Sequence, residues 1–104
     1  MSSSTGVFAI SVAAGMVSME VQNLRVYERR GLIEPDRTPG GTRLYSPDDV
    51  TRLIRIRELL AEGLNLVGIA HVLTLESKVD DLQSANRRLR RQLAASRSVP
   101  DEGA

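Results

Sequence analysis

The stretch that decides the fold is residues 18–46, SMEVQNLRVYERRGLIEPDRTPGGTRLYS. Its first half predicts a helix at about residues 19–30, because apolar residues recur there at helical spacing. Gly31 suits the position after a helix, since glycine adopts the left-handed backbone conformation without strain. A short helical segment precedes the stretch, and Ser18 is expected to cap the second helix. A short helix, a tight turn and an arginine-bearing helix are typical of a helix-turn-helix, here at about residues 10–30.

The second half of the stretch predicts a β-hairpin, called the wing, at about residues 32–46. Pro39–Gly41 is a strong turn signal, and the flanking segments Leu32–Ile33 and Thr42–Tyr45 have strand character. The loop of the hairpin is therefore expected near residues 36–41.

Two further helices are predicted by their end signals. Ser46 begins the first of them, because Pro47 suits the first helical position and Asp49 completes a capping box. Gly63 is expected to end that helix, and Asn65 to cap the next.

From Leu75 onward the apolar pattern becomes a heptad seam, which predicts a coiled-coil helix at residues 76–95. The seam residues are Leu75, Val79, Leu82, Asn86, Leu89 and Leu93. An exposed apolar seam must be covered, and a second copy of the chain is the favoured partner, with packing inside one chain as the alternative. Asn86, a polar residue at a core position, is of the type that fixes register.

The charges of the predicted coiled coil are segregated along its length. The acids Glu76, Asp80 and Asp81 come first, and the arginines Arg87, Arg88, Arg90 and Arg91 follow. Two antiparallel copies would place each acidic end beside the partner's basic end, so we expect an antiparallel homodimer. Direct contact of these arginines with nucleic acid or an acidic partner is the alternative.

Composition excludes several classes of protein. The absence of cysteine excludes thiolate metal sites and disulfides, and a single histidine, His71, cannot build a metal site. No apolar run approaches the roughly 18 residues of a membrane span, the start has no signal-peptide pattern, and no catalytic constellation appears. We therefore expect a cytoplasmic protein with no cofactor and no enzymatic activity. Residues 1–6 and 96–104 are expected to be disordered tails.

Candidate DNA contacts lie on the second helix and on the wing. The net charge is only +1, but eight arginines accompany five acids between Arg25 and Arg57. Amide and guanidinium groups read base edges in the major groove, and arginines bind phosphates. The candidate residues are Ser18, Gln22, Asn23, Arg25, Tyr27, Arg29, Arg30, Arg37, Arg43 and Tyr45. The alternative for the helix is an ordinary solvated face, and the alternative for Tyr45 is packing inward.

These residues closely resemble the signature of the MerR family of transcription regulators. The match runs through LRVYERRGLIEP at 24–35, GTRLYS at 41–46 and EGLNL at 62–66. Within the family, ISVAA at 10–14 and GLNLVGI at 63–69 are most similar to the heat-shock repressor (HspR) branch.

The resemblance implies a mostly α-helical winged helix-turn-helix at residues 7–75, followed by an antiparallel coiled-coil dimerisation helix. It implies a repressor that binds double-stranded DNA at an inverted repeat, with Arg25 in the major groove and Arg43 and Tyr45 serving the wing. For the heat-shock branch, the implied protein partner is the DnaK chaperone.

The sequence departs from the family pattern in three ways. Ser18 stands where the family commonly has glycine, little chain follows the coiled coil for an effector domain, and the cysteines of the sensing branches are missing. The alternative function is a DNA-bending, excisionase-like factor or a protein-interaction module.

Overall fold

The computed structural model describes residues 2–97 and confirms a mostly helical chain with a two-stranded wing. The elements are α1 (Ile10–Met16), α2 (Val21–Arg29), β1 (Asp36–Arg37), β2 (Arg43–Leu44), α3 (Pro47–Ala61) and α4 (Leu66–Arg97). The described residues form two compact units, the winged unit (2–69) and the C-terminal unit (70–97), and α4 runs through the boundary.

The helix α2 begins later than predicted but ends as predicted. Its N-cap is Glu20, without a side-chain cap bond, while Ser18 has a φ of 55° and belongs to the turn instead of capping the helix. At the other end, the N–H of Leu32 donates to the carbonyl of Tyr27 (2.9 Å) and Gly31 has a φ of 72°. This arrangement is the Schellman ending that glycine favours.

The wing is a short antiparallel hairpin whose first strand lies further along the chain than predicted. In it Asp36 pairs with Leu44, and Arg37 pairs with Arg43. The segment 32–33, predicted as the first strand, is instead buried in the core, where it cannot pair with the returning strand.

Residues 2–6, predicted to be a disordered tail, are hydrogen-bonded to the rest of the winged unit. The N–H of Gly6 donates to Asp36 Oδ2 (2.8 Å), and the carbonyl of Ser3 accepts from the N–H of Asp48 (3.0 Å). The close approach at Gly6 requires glycine, because a Cβ there would lie 2.4 Å from the carbonyl oxygen of Leu44. Of the predicted C-terminal tail, residues 96–97 continue α4, and 98–104 lie outside the described residues.

The hydrophobic core of the winged unit joins α1, α2, the wing and α3. Tyr45 is fully buried beside the N-terminal segment, where its N–H donates to the carbonyl of Phe8 (2.7 Å). The other fully buried side chains of large volume are Leu24, Leu53, Ile56, Ile69 and Val17. Each contributes roughly 1.5–3 kcal/mol through its removal from water.

The predicted signals at both ends of α3 and at the start of α4 are confirmed. Ser46 and Asp49 form a reciprocal capping box, with Asp49 N–H donating to Ser46 Oγ (3.0 Å) and Ser46 N–H donating to Asp49 Oδ2 (2.9 Å). Gly63 has a φ of 92° just after α3, and Asn65 Oδ1 accepts from the N–H of Gly68 (2.8 Å) in the first turn of α4. These bonds satisfy backbone donors that a helix N-terminus otherwise leaves free.

The C-terminal unit exposes the apolar residues of the predicted seam. Leu75, Val79, Leu82, Leu89 and Leu93 are between 49% and 69% exposed. Asn86 is also exposed. None of the helices within residues 2–97 combines the length and the apolar character needed to cross a bilayer.

Candidate nucleic-acid interface

The outer face of α2 carries most of the predicted DNA contacts and is open to solvent. Leu24 and Tyr27 pack this helix into the core, which turns its polar residues outward. The exposed residues are Gln22, Asn23, Arg25, Arg29 and Arg30, and Ser18 is exposed in the turn before the helix. Among them Gln22, Arg25 and Arg29 follow one another at i, i+3 and i+7, so they form a single stripe.

One predicted DNA contact, Tyr45, is corrected because its side chain belongs to the core, and a second, Tyr27, is mostly buried. Tyr27 is 5% exposed and Tyr45 is fully buried. Burial raises the pKa of both phenols. Of the two alternatives for Tyr45, the inward one holds, and its hydroxyl has no hydrogen-bond partner among the described residues. The hydroxyl of Tyr45 is therefore not available to a phosphate or a base edge, while a DNA contact by Tyr27 stays a prediction.

One carboxylate joins α2 to both strands of the wing. Glu28 Oε1 accepts from Arg37 Nη2 (2.5 Å), and Glu28 Oε2 accepts from Arg43 Nε. Arg37 Nη1 also donates to the carbonyl of Gly41 (2.9 Å), which ties the end of the hairpin loop to the same guanidinium. We call the three side chains Glu28, Arg37 and Arg43 the Glu28 latch.

Within the latch, the opposite charges of Glu28 and Arg43 each favour the ionised form of the other. Partial burial raises the pKa of Glu28, but hydrogen bonds from Arg43 and Arg37, together with their positive charges, outweigh it and leave the pKa below its ordinary value. The hydrogen bond to Glu28 raises the pKa of Arg43. The side chains of Arg37 and Arg43 stay 46% and 28% exposed, so both remain partly in contact with solvent while held by Glu28.

Two arginines of α3, which the sequence analysis did not single out, bind backbone carbonyls that precede and follow α2 in the chain. Arg57 Nη1 donates to the carbonyl of Val17 (2.6 Å), the C-cap of α1, and Arg52 Nε donates to the carbonyl of Leu32. We call Arg52 and Arg57 the α3 pins. Their acceptors lie 20 and 40 residues away in sequence, so no local pattern identifies them.

Within residues 2–97 the structure offers no metal site. No group of three or more His, Cys, Asp or Glu side chains there is arranged to hold an ion. An open groove beside the latch is lined by Glu28, Gly31, Ile33, Glu34, Pro35 and Arg37. The chemistry of the winged unit is thus that of exposed amides and guanidiniums, which suits hydrogen bonding to base edges and phosphates.

Comparison with known proteins matches this chain to helix-turn-helix regulatory proteins. The chain matches the model of the MerR HTH family of regulatory proteins over residues 8–76. The putative heat shock protein HspR of Streptomyces coelicolor is 44% identical over 81 residues, which are 77% of this chain and 54% of that protein. The HTH-type transcriptional regulator GlnR of Bacillus anthracis is 37% identical over 73 residues, 70% of this chain and 57% of that protein. The chain therefore spans a little over half the length of these relatives.

The fold comparison agrees with the sequence comparison. The crystal structure of the transcription regulator PbrR691 from Ralstonia metallidurans CH34, in complex with lead(II), superposes with a TM-score of 0.64 at 27% identity. The match covers 92% of this chain and 90% of that one. The predicted winged helix-turn-helix fold is confirmed, and the relatives are transcription regulators, as predicted, and not enzymes.

Proposed function

This chain belongs to the MerR family of HTH regulatory proteins, and we propose that it is a dimeric, sequence-specific repressor that binds an inverted-repeat promoter site. The observation that carries the proposal is the exposed stripe of α2, which the Glu28 latch joins to an arginine-bearing wing. Because promoters lie on the nucleoid, we place this activity in the bacterial cytoplasm.

The α2 stripe is suited to reading bases. A guanidinium donates two parallel hydrogen bonds to guanine, and a side-chain amide pairs with adenine in the same way. Arg25 lies in the middle of the stripe, with Gln22 and Asn23 on the preceding turn, so these three are the proposed base readers. Arg29 and Arg30, one turn further on, are proposed to bind phosphates.

The wing is proposed to bind the DNA backbone beside the groove that α2 enters. Arg37 and Arg43 lie on paired positions of the two strands. Each side chain is partly exposed to solvent while it is paired with Glu28. Such a half-free guanidinium has donors left for a phosphate oxygen.

The C-terminal unit is proposed to bind a second copy of itself. Five apolar seam residues of this unit are half to two-thirds exposed in the single chain, and a stable protein rarely leaves such a continuous strip in water. Acidic residues at 76–81 and arginines at 87–91 favour antiparallel pairing, in which opposite charges meet. Two winged units on one dimer match the two halves of an inverted repeat.

The likeness to HspR supports a role in the heat-shock response. The HspR of Streptomyces coelicolor is 44% identical to this chain over 81 residues, and its name describes a heat shock protein. As the resemblance to that branch implies, we propose repression of stress genes, with a chaperone of the DnaK type as the regulatory protein partner.

Selection of DNA from a random library by the full-length chain tests this proposal. We expect the recovered duplexes to contain an inverted repeat, and binding to weaken steeply as salt rises. Arg25→Ala should weaken binding to the selected duplex about 10- to 100-fold and relax the preference at one position in each half-site. Arg97→Ala, the same change at the end of α4, is the matched control and should leave the preference unchanged.

Two results would contradict the proposal. Recovery of duplexes with no common sequence would favour the architectural alternative, in which the chain binds and bends DNA without reading it. A preference that survives Arg25→Ala unchanged would remove α2 from the reading surface.

A further inference from the structure

Glu28 is an acid that lies among the arginines of α2 and the wing. Arg25, Arg29 and Arg30 lie on its own helix, and Arg37 and Arg43 lie on the wing. Its side chain is 18% exposed and its lowered pKa keeps it ionised at neutral pH. A negative charge here weakens the attraction of phosphates, so its presence in a DNA-binding surface calls for a compensating role.

The geometry of the latch indicates that role. The two oxygens of Glu28 are each taken by a different arginine, one from each strand of the wing. Arg37 extends the connection to the carbonyl of Gly41 at the end of the hairpin loop. A single side chain on the reading helix thus fixes both strands and the loop end relative to that helix.

We propose that Glu28 is a positioning residue that determines how well the protein discriminates its site from other DNA. It neutralises one wing cation, which lowers binding to DNA of any sequence. It also holds the wing at a fixed position relative to α2, so wing and helix contact DNA together only in the correct register. The inference rests on the proposed function, and it deepens that proposal by assigning part of the specificity to a residue that contacts no base.

The physical basis is the difference between the two kinds of binding. Non-specific affinity follows the number of phosphates neutralised, with a salt slope of about 0.9 per phosphate. Specific affinity depends in addition on correctly placed base contacts. Replacing Glu28 by glutamine frees a wing cation for phosphates on any DNA, but it also releases the wing from α2. The replacement should therefore strengthen the first kind of binding and not the second.

The test compares Glu28→Gln with Glu34→Gln in the full-length chain. Glu34 is exposed and lines the same groove, so its replacement removes an equal charge outside the latch. Binding is measured over a range of salt concentrations to a duplex selected by the wild-type chain and to a scrambled duplex of the same composition.

For Glu28→Gln we expect about 3- to 10-fold tighter binding to the scrambled duplex, with a salt slope steeper by about 0.9. Binding to the selected duplex should be no tighter than in the wild type, so the ratio of the two affinities falls by the same factor. For Glu34→Gln both affinities should change together and the ratio should stay constant. Glu28→Asp, which keeps the charge but is too short to hold both arginines, should weaken only the selected complex.

An unchanged ratio in Glu28→Gln, or an equal fall in Glu34→Gln, would overturn the inference. A variant that merely folds less well would lose active protein on both duplexes alike, which leaves the ratio unchanged and so also counts against it. If the wild-type chain selects no sequence at all, the proposed function fails first, and the two failures are thereby distinguished.

Discussion

The two units of this chain differ in the exposure of their apolar residues, which are mostly buried in the winged unit and mostly exposed in the C-terminal unit. In the winged unit, Leu24, Leu53, Ile56 and Ile69 are fully buried, and the helix ends are closed by a capping box and by glycines. In the C-terminal unit, the seam leucines and Val79 are 49% to 69% exposed along one continuous helix. Both segments are helical, so secondary structure alone does not distinguish them.

The contrast separates two sources of stability. The winged unit buries its apolar side chains within one chain, whereas a single exposed helix gains little stability by itself, so we expect the C-terminal unit to be stabilised by association. Changes in the two units should therefore produce different defects, and the following predictions rank them by size.

The largest effect is expected from Leu82→Asp combined with Leu89→Asp, which places charges in the seam. Because burial of each leucine is worth about 1.5–3 kcal/mol and both copies are affected, the dimer dissociation constant should rise more than about 1,000-fold. Sedimentation of the variant should show monomers.

Ser77→Asp combined with Ser84→Asp is the control for the seam variant. These positions have the same spacing and lie away from the seam, so this variant should remain dimeric. A persistent dimer in the leucine variant would refute the seam as the interface.

A smaller effect, confined to the winged unit, is expected from replacing the buried Tyr45. Tyr45→Ala should lower the free energy of unfolding by about 3–5 kcal/mol, because a large side chain is removed from the core. Tyr45→Phe should keep stability or raise it by about 1 kcal/mol, since the hydroxyl has no partner among the described residues. Urea unfolding measures both values, and a clear loss of stability in Tyr45→Phe would show that the hydroxyl is bonded.

The smallest effect concerns the pH dependence of the latch. The pKa of Glu28 is lowered from its ordinary value of 4.5 in the folded state, so the ionised latch stabilises the fold above that value. This stabilisation is lost as the pH falls through the lowered pKa. The difference in unfolding free energy between the wild type and Glu28→Gln should thus be constant above about pH 5 and shrink in more acidic solution. A difference that stays constant down to pH 2 would contradict the assignment.

Local sequence signals predicted the helix ends that depend on neighbouring residues. Gly31, Ser46, Gly63 and Asn65 all act where they were expected, because capping involves groups only a few positions apart. Ser18 was expected to cap α2, but it forms the turn instead. A serine in a tight turn and a serine at a helix N-cap give the same local pattern.

Contacts between distant parts of the chain could not be predicted in this way. Residues 32–33 resemble a strand in sequence because they are apolar, but in the structure they are buried in the hydrophobic core. Glu28 and the α3 pins look like ordinary surface charges until the fold brings their partners to them. The seam, the dimer and the DNA contacts of the exposed α2 residues remain predictions.

The α3 pins have a consequence for how this protein can diversify. Arg57 and Arg52 bind main-chain carbonyls, at Val17 and Leu32, and these acceptors are present whatever side chains α2 displays. The outward positions of α2 are therefore released from the requirements of folding. Under the proposed function, substitutions at these positions can change the recognised operator one residue at a time, and an engineer can graft a different set of α2 side chains onto the same fold.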